Sequence, residues 1–174
     1  SNNNTPTEVE NADDKEEELE IEDTLVVSDK ISDFLKNKMP GYEIVPREKW
    51  LSKEYLEGMS KSLRPLYKDD ILIEGDFNGD GEDDFATFLM DKKGKMKLYA
   101  FHKISSGYKK YELKIGATSG FLGAGLDVEE PGFVYGGNKE VGLEYNGINY
   151  NIYEKTGTTF YYDAGRYRKV LTND

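Results

Sequence analysis

The chain has 174 residues, no cysteine and a formal net charge of −11, of which −9 falls on residues 1–24, where ten acids face Lys15 alone. That length suits one domain with an appendage. The missing cysteine excludes a disulfide framework, thiol catalysis and a thiolate zinc site, and with only −2 left for residues 25–174 and no basic stripe, a nucleic-acid partner is excluded too.

Residues 1–24, SNNNTPTEVENADDKEEELEIEDT, combine Asn, Thr, Pro and Glu with almost no large apolar side chains. Such a segment cannot offset its ordering entropy, so it reads as a disordered acidic tether. The chain starts with Ser and not Met, which points to something removed upstream. The tether is similar to the polar stretch that follows the lipidated cysteine of bacterial lipoproteins. That resemblance implies an extracytoplasmic protein, in the periplasm or at the cell surface, held to a membrane only by an N-terminal lipid anchor. No run approaches the roughly 20 apolar residues of a membrane-spanning helix.

A first helix is predicted after Ser28, a plausible N-cap, with Ile31, Phe34, Leu35 and Met39 on one face and Pro40-Gly41 as its stop. A second is predicted from Pro46, carrying Trp50, Leu51, Tyr55 and Met59 inward before Arg64-Pro65. Both stripes read as core packing. From Ile71 the apolar period changes to two, with glycine punctuation. Strands are predicted at 71–76, 83–91, 95–103 and 108–115, turning at Lys92-Lys93-Gly94 and Ser105-Ser106-Gly107. A glycine-rich stretch follows, SGFLGAGLDVEEPGFVYGGNKE, read as a flexible loop. Further strands are then predicted at 140–145, 148–154, 157–163 and 166–171, joined by Asn146-Gly147, Lys155-Thr156 and Ala164-Gly165. Asn-Gly between alternating runs is a strong hairpin signal. The expectation is an α+β domain over 25–174, helical over 28–64 and β-rich over 71–171. Two N-terminal helices precede a mostly antiparallel sheet region of two four-stranded meanders, arranged as a sandwich, an open barrel or a propeller blade.

Between the first two strands lies Asp76-Phe77-Asn78-Gly79-Asp80-Gly81-Glu82-Asp83-Asp84. Oxygen-bearing side chains at positions 1, 3, 5 and 9, with glycine at 6, are the spacing of a calcium loop, because a hard cation wants six to eight oxygens around one centre. Position 12 is Thr87 and the flanks have strand period, so this is not the helix-flanked motif. Asp76, Asn78, Asp80, Gly81 and Asp84 instead resemble the DxNxDGxxD loop of FG-GAP or VCBS-type repeats, the blades of integrin-alpha-like propellers, over residues 71–104. The resemblance implies a structural calcium ion with Asp76, Asn78, Asp80 and Asp84 as side-chain ligands and Glu82 as a backbone ligand. The loop occurs once and the FG and GAP signatures are absent, so a full propeller is not expected. The alternative is a solvated turn, which favours the same residues. The layout as a whole also resembles bacterial exported and lipoprotein domains, with no activity implied.

The catalytic inventory is thin. His102 is the only histidine and reads as a satisfied strand residue, and Ser105 and Ser106 sit in a turn without nucleophile-elbow spacing. Glu129 and Glu130 point to opposite faces of a strand, a poor pair for glycoside hydrolysis. The remaining lead is tyrosine, thirteen in all. Alternation buries Tyr150 with Ile148 and Ile152 and places Tyr153 and Tyr161 on an exposed face, a candidate binding surface. The function expected from the sequence is a non-catalytic, calcium-stabilised domain of the cell envelope. The alternatives are an adhesion- or inhibitor-type module that binds a protein or glycan through tyrosines, and a carboxylate-based hydrolase.

Overall fold

The structure, a computed structural model, describes residues 31–46, 49–50, 72–119, 123–152 and 156–172. Within them a short helix over 31–38 precedes the strands Glu43–Ile44 (β1), Leu72–Gly75 (β2), Asp84–Met90 (β3), Lys95–Ile104 (β4), Gly107–Ser119 (β5) and Ala124–Glu129 (β6). The chain continues through Gly132–Gly136 (β7), Lys139–Leu143 (β8), Gly147–Ile152 (β9), Thr156–Asp163 (β10) and Arg166–Thr172 (β11). A first antiparallel sheet runs β1-β3-β4-β5, with β2 also paired to β3. A second runs β11-β10-β9-β6, and β7 with β8 forms a separate hairpin.

The alternation of side chains decides how these pieces stack. In β3, Phe85 and Leu89 point to one side of the first sheet and Ala86 and Phe88 to the other, and all four are buried. The first side meets the helix: Ile31, Leu35 and Met39 close over Leu72, Phe85, Leu89, Tyr99 and Phe101. The second side meets the second sheet, where Ile73, Phe88, Leu98 and Leu113 share a core with Leu126, Ile148, Tyr150 and Phe160. A strand buried on both faces reads as a nearly unbroken apolar run, which is what FATFLM is. On the outer face of the second sheet, Val134 and Leu143 of the β7–β8 hairpin cover Val170 and Tyr161. Helix, sheet, sheet and hairpin are thus four successive layers.

Two expectations are corrected. The fold is mostly β and not α+β: among the described residues one short helix stands where two N-terminal helices were predicted. The helix over 31–38 forms with the predicted inward face, Gly41 turns the chain at φ 90°, and β1 then pairs with the end of β3 (Glu43 opposite Met90). Val45 N–H donates to Phe88 O at 3.0 Å, so this stretch completes a sheet edge instead of starting a second helix. At its predicted start the chain makes a turn closed by Lys49 N–H on Pro46 O (2.9 Å), and Trp50 plugs the inter-sheet core edge-on to Phe88. Residues 51–71, with Leu51, Tyr55 and Met59, lie outside the described residues.

The second correction concerns the meanders. β2 to β5 form the first as expected, but β8 does not pair with β9 across Asn146-Gly147. The edge of β9 is taken by β6 (Leu126 opposite Tyr150), a strand inside the stretch read as a loop, and β8 pairs with β7 (Val134 opposite Val141). Gly147 serves packing here: a Cβ at that position would stand 3.1 Å from both Leu143 and Thr159 side chains.

Candidate functional site

The Asp76–Asp84 loop joins β2 to β3. Gly79 and Gly81 adopt φ of 79° and 82°, the left-handed region that glycine enters without a Cβ penalty, and the chain coils around Asp76. Asp76 Oδ1 accepts the N–H groups of Gly79 (2.7 Å) and Asp80 (3.1 Å), and its Oδ2 accepts that of Gly81 (2.9 Å). Asn78 Oδ1 accepts the same Asp80 N–H at 2.9 Å, so two side-chain oxygens from alternate residues converge on one positively polarised group. Asn78 also donates its amide to Asp80 Oδ2 (2.9 Å), while Asp80 Oδ1 accepts Glu82 N–H (2.9 Å). The Glu82 N–H, and after it the Asn78 amide, hold the Asp80 carboxyl below the usual carboxylate range. The Glu82 side chain turns away to pair with Lys103.

Asp84 stands apart from this gathering. It is fully buried, with Oδ2 accepting Phe77 N–H (3.1 Å) and Oδ1 accepting Lys103 N–H (2.9 Å), so it straps the start of the loop to β4. Burial pushes its carboxyl up to about 6, against the pull of those two donors. Beside it, His102 Nε2 lies 4.0 Å from Asp84 Oδ2 and shares a 2.7 Å hydrogen bond with Tyr167 OH. Burial pushes the imidazole down to about 4, so it is neutral at pH 7, and burial also raises the Tyr167 phenol. The rings of Tyr111, Tyr162 and Tyr167 surround His102 at 4.6, 4.7 and 5.5 Å between centroids, and Tyr111 OH meets Tyr162 OH at 3.1 Å. His102 is therefore the satisfied strand residue expected of it, in a closed polar cluster between the sheets.

The donor set fits a hard cation in part. Asp76, Asn78 and Asp80 are joined by hydrogen bonds within the exposed loop, where Asp76 already accepts three backbone N–H groups, whereas Asp84 is fully buried at the loop's base and bonded to the N–H groups of Phe77 and Lys103. Among the described residues no three Asp, Glu or His side chains come together in a metal-holding group. What the loop offers is two carboxylates and one amide, plus the Glu82 carbonyl that the spacing assigns. The described side chains around it offer no nucleophile–base pair: His102 is enclosed by tyrosines, and Glu130 bonds Asn146 at 3.4 Å.

Of the tyrosines singled out earlier, Tyr153 lies outside the described residues. Tyr161 is not on an open face: it is half-buried under the β7–β8 hairpin, and with Glu144, Tyr145 and Asp163 it lines a cleft of about 280 Å³. Tyr145 packs closely against the loop, since a Cβ on Gly79 would lie 2.0 Å from its ring. Residues 144 and 145 follow β8 in a bend whose position depends on the hairpin layer, which no local pattern announces. The Tyr162–Tyr167 pairing was within reach, because the two-residue turn at Ala164-Gly165 (φ 48° and 83°) sets Asp163 opposite Arg166 and Tyr162 opposite Tyr167. No protein-family model, curated protein or solved structure matches the chain.

Proposed function

We propose that the chain is a non-catalytic domain of the cell exterior, stabilised by one calcium ion held by Asp76, Asn78 and Asp80 with the Glu82 carbonyl. The observation that supports this reading is the shared Asp80 N–H, on which Asp76 Oδ1 and Asn78 Oδ1 already converge within 3.1 Å. The loop is held in that shape by backbone donors, so little ordering is left for an ion to impose. An ion would add the positive charge that two neighbouring carboxylates otherwise obtain only from N–H groups. A site with two carboxylates belongs to the weak class, with dissociation constants of about 0.1–1 mM, which fills only where calcium is that abundant. That match of affinity to surroundings, together with the acidic tether, favours an extracytoplasmic setting.

The test is a thermal melt of the full chain in excess EDTA and in 10 mM calcium, with magnesium as control. At 10 mM, calcium is about 10–100 times that dissociation constant and adds roughly 1.4–2.7 kcal/mol, a rise of a few degrees for a chain of this length. Asp80→Asn keeps an oxygen for the Glu82 N–H but loses the charge and the acceptor of the Asn78 amide, so it is expected to melt somewhat below the parent in EDTA and to lose the calcium shift. A parent melt that ignores calcium would sink the proposal.

A further inference from the structure

The cleft beside the loop has a composition that points to one ligand chemistry. Val141 and Gly142 form one wall, and the side chains facing it from the others are Glu144, Tyr145, Tyr161 and Asp163. Tyr162 contributes to the lining too, but its ring turns inward to His102 and its hydroxyl is engaged with Tyr111. None of the lining side chains carries an N–H donor. The Tyr145 hydroxyl is hydrogen-bonded to Glu144, and this raises the phenol above its ordinary range. The cleft is left with carboxylate acceptors, the Tyr161 hydroxyl and two aromatic rings. A neutral sugar can donate to the carboxylates but gains nothing from their charge, whereas an ammonium group brings three donors together with a positive charge and is attracted by ring faces.

Charge bookkeeping favours the same ligand. Asp163 is answered by Arg168, whose Nε lies 2.6 Å from Oδ2. Glu144 takes part in no ion pair among the described residues, so it leaves the cleft with an uncompensated negative charge. Val141, part of the apolar cluster under the hairpin, supplies apolar surface at the cleft for the aliphatic stem that carries the ammonium.

We infer that the cleft between β8, Tyr145 and β10 binds a primary ammonium group on an aliphatic stem, with Glu144 as its counter-ion and the Tyr145 and Tyr161 rings as its walls. The source is either a free alkyl amine or a lysine side chain of a partner protein, and the chemistry is the same for both. The site does not rest on the loop's ion, because none of its residues belongs to the candidate ligand set.

The experiment is an amide-resonance titration of the full chain with n-butylammonium and with Nα-acetyl-lysine methylamide. Nε-acetylated acetyl-lysine methylamide and methyl glucoside serve as neutral controls. Saturable shifts at Gly142, Tyr145 and Tyr161 are expected with the amines and not with the controls. The amine that binds more tightly identifies the source. Glu144→Gln should weaken amine binding about threefold to fivefold, as should Tyr161→Leu, which keeps an apolar group over Val134. Glu144 is exposed, so its variant is expected to fold as the parent does, and unshifted resonances in the first sheet check this. Absence of saturable shifts with both amines, equal shifts with methyl glucoside, or an unchanged amine affinity in Glu144→Gln would each overturn the assignment. Running the titration in both EDTA and calcium separates this result from the fate of the loop's ion.

Discussion

Asp76 illustrates how a residue chosen for one role acquires another once its surroundings are known. From spacing alone its carboxylate is a ligand, and Asp76→Ala is expected to matter only when calcium is present. In the structure it accepts three backbone N–H groups, of which Asp80 N–H is shared with Asn78 Oδ1. Asp76→Ala is therefore expected to lower stability in EDTA as well, by about 0.5–1.5 kcal/mol, since its exposed donors exchange a charged acceptor for water. A urea melt in EDTA decides this, and equal midpoints for parent and variant would contradict the hydrogen-bonding pattern. His102 gives a second residue-scale prediction, concerning pH. An unfolded chain protonates the imidazole at its ordinary 6.5, while the folded chain resists until about 4, so the unfolded state binds the extra proton in that window. The stability His102 contributes is complete above pH 6.5 and is lost as pH falls toward 4. Asp84 works in the opposite sense: its folded carboxyl, raised from 3.8 to about 6, takes up a proton before the unfolded one does, which favours folding as pH falls. The two effects oppose each other over nearly the same range. In His102→Gln only the Asp84 effect remains, so the variant should gain on the parent by about 2–3 kcal/mol between pH 7 and pH 4. Melts in EDTA across that range measure the gap, and a constant gap would mean that His102 is not held neutral.

At the scale of elements, the legible parts were those in which a strand carries its own pattern. β2 to β5 and β9 to β11 were readable because alternation and Gly-marked turns are local, and the helix over 31–38 was readable because Ile31, Leu35 and Met39 recur at helical spacing. β6 and β7 were not, because their glycines and the break at Glu130-Pro131 imitate a loop, and β6 in addition pairs with a strand distant in sequence (Val128 opposite Ile148). The Asn146-Gly147 signal failed for a related reason, since β9 found a better partner than the adjacent strand. Of the candidate site, the coil around Asp76 was legible and the inward turn of Asp84 was not, because the pull on Asp84 comes from Lys103 on β4. The hairpin layer supplies a prediction at this scale. A Cβ on Gly136 would lie 2.2 Å from Leu171 O, a backbone atom that cannot yield without moving β11, whereas Gly137 has φ 60° but open space around it. Gly136→Ala is expected to cost about 1–3 kcal/mol and Gly137→Ala about 1 kcal/mol, from crowding and left-handed strain respectively. Urea midpoints rank the two, and a larger loss at Gly137 would mean that β7 does not lie against β11.

For the whole molecule, the layers are coupled to different degrees. The inter-sheet core draws Phe88, Leu98 and Leu113 from one sheet and Leu126, Ile148 and Phe160 from the other, so neither sheet can leave without exposing both. The helix over 31–38 is too short to persist alone and depends on the face of the first sheet that it covers. The hairpin rests on a smaller cluster, Val134, Leu143 and Val170, and has no share in the central core. These differences predict two kinds of response in native-state hydrogen exchange. Ile148→Ala removes a fully buried side chain from the shared core and should cost about 2–5 kcal/mol, lowering protection in β4 of the first sheet as much as in β10 of the second. Val134→Ala should lower protection in β7 and β8 and leave the slowest amides of β3 and β4 unchanged, because the hairpin can open while the sandwich stays closed. Had the hairpin been part of the same cooperative unit, Val134→Ala would speed exchange in β4 by the same factor as in β7, and the cleft that depends on that hairpin would then be as rigid as the core.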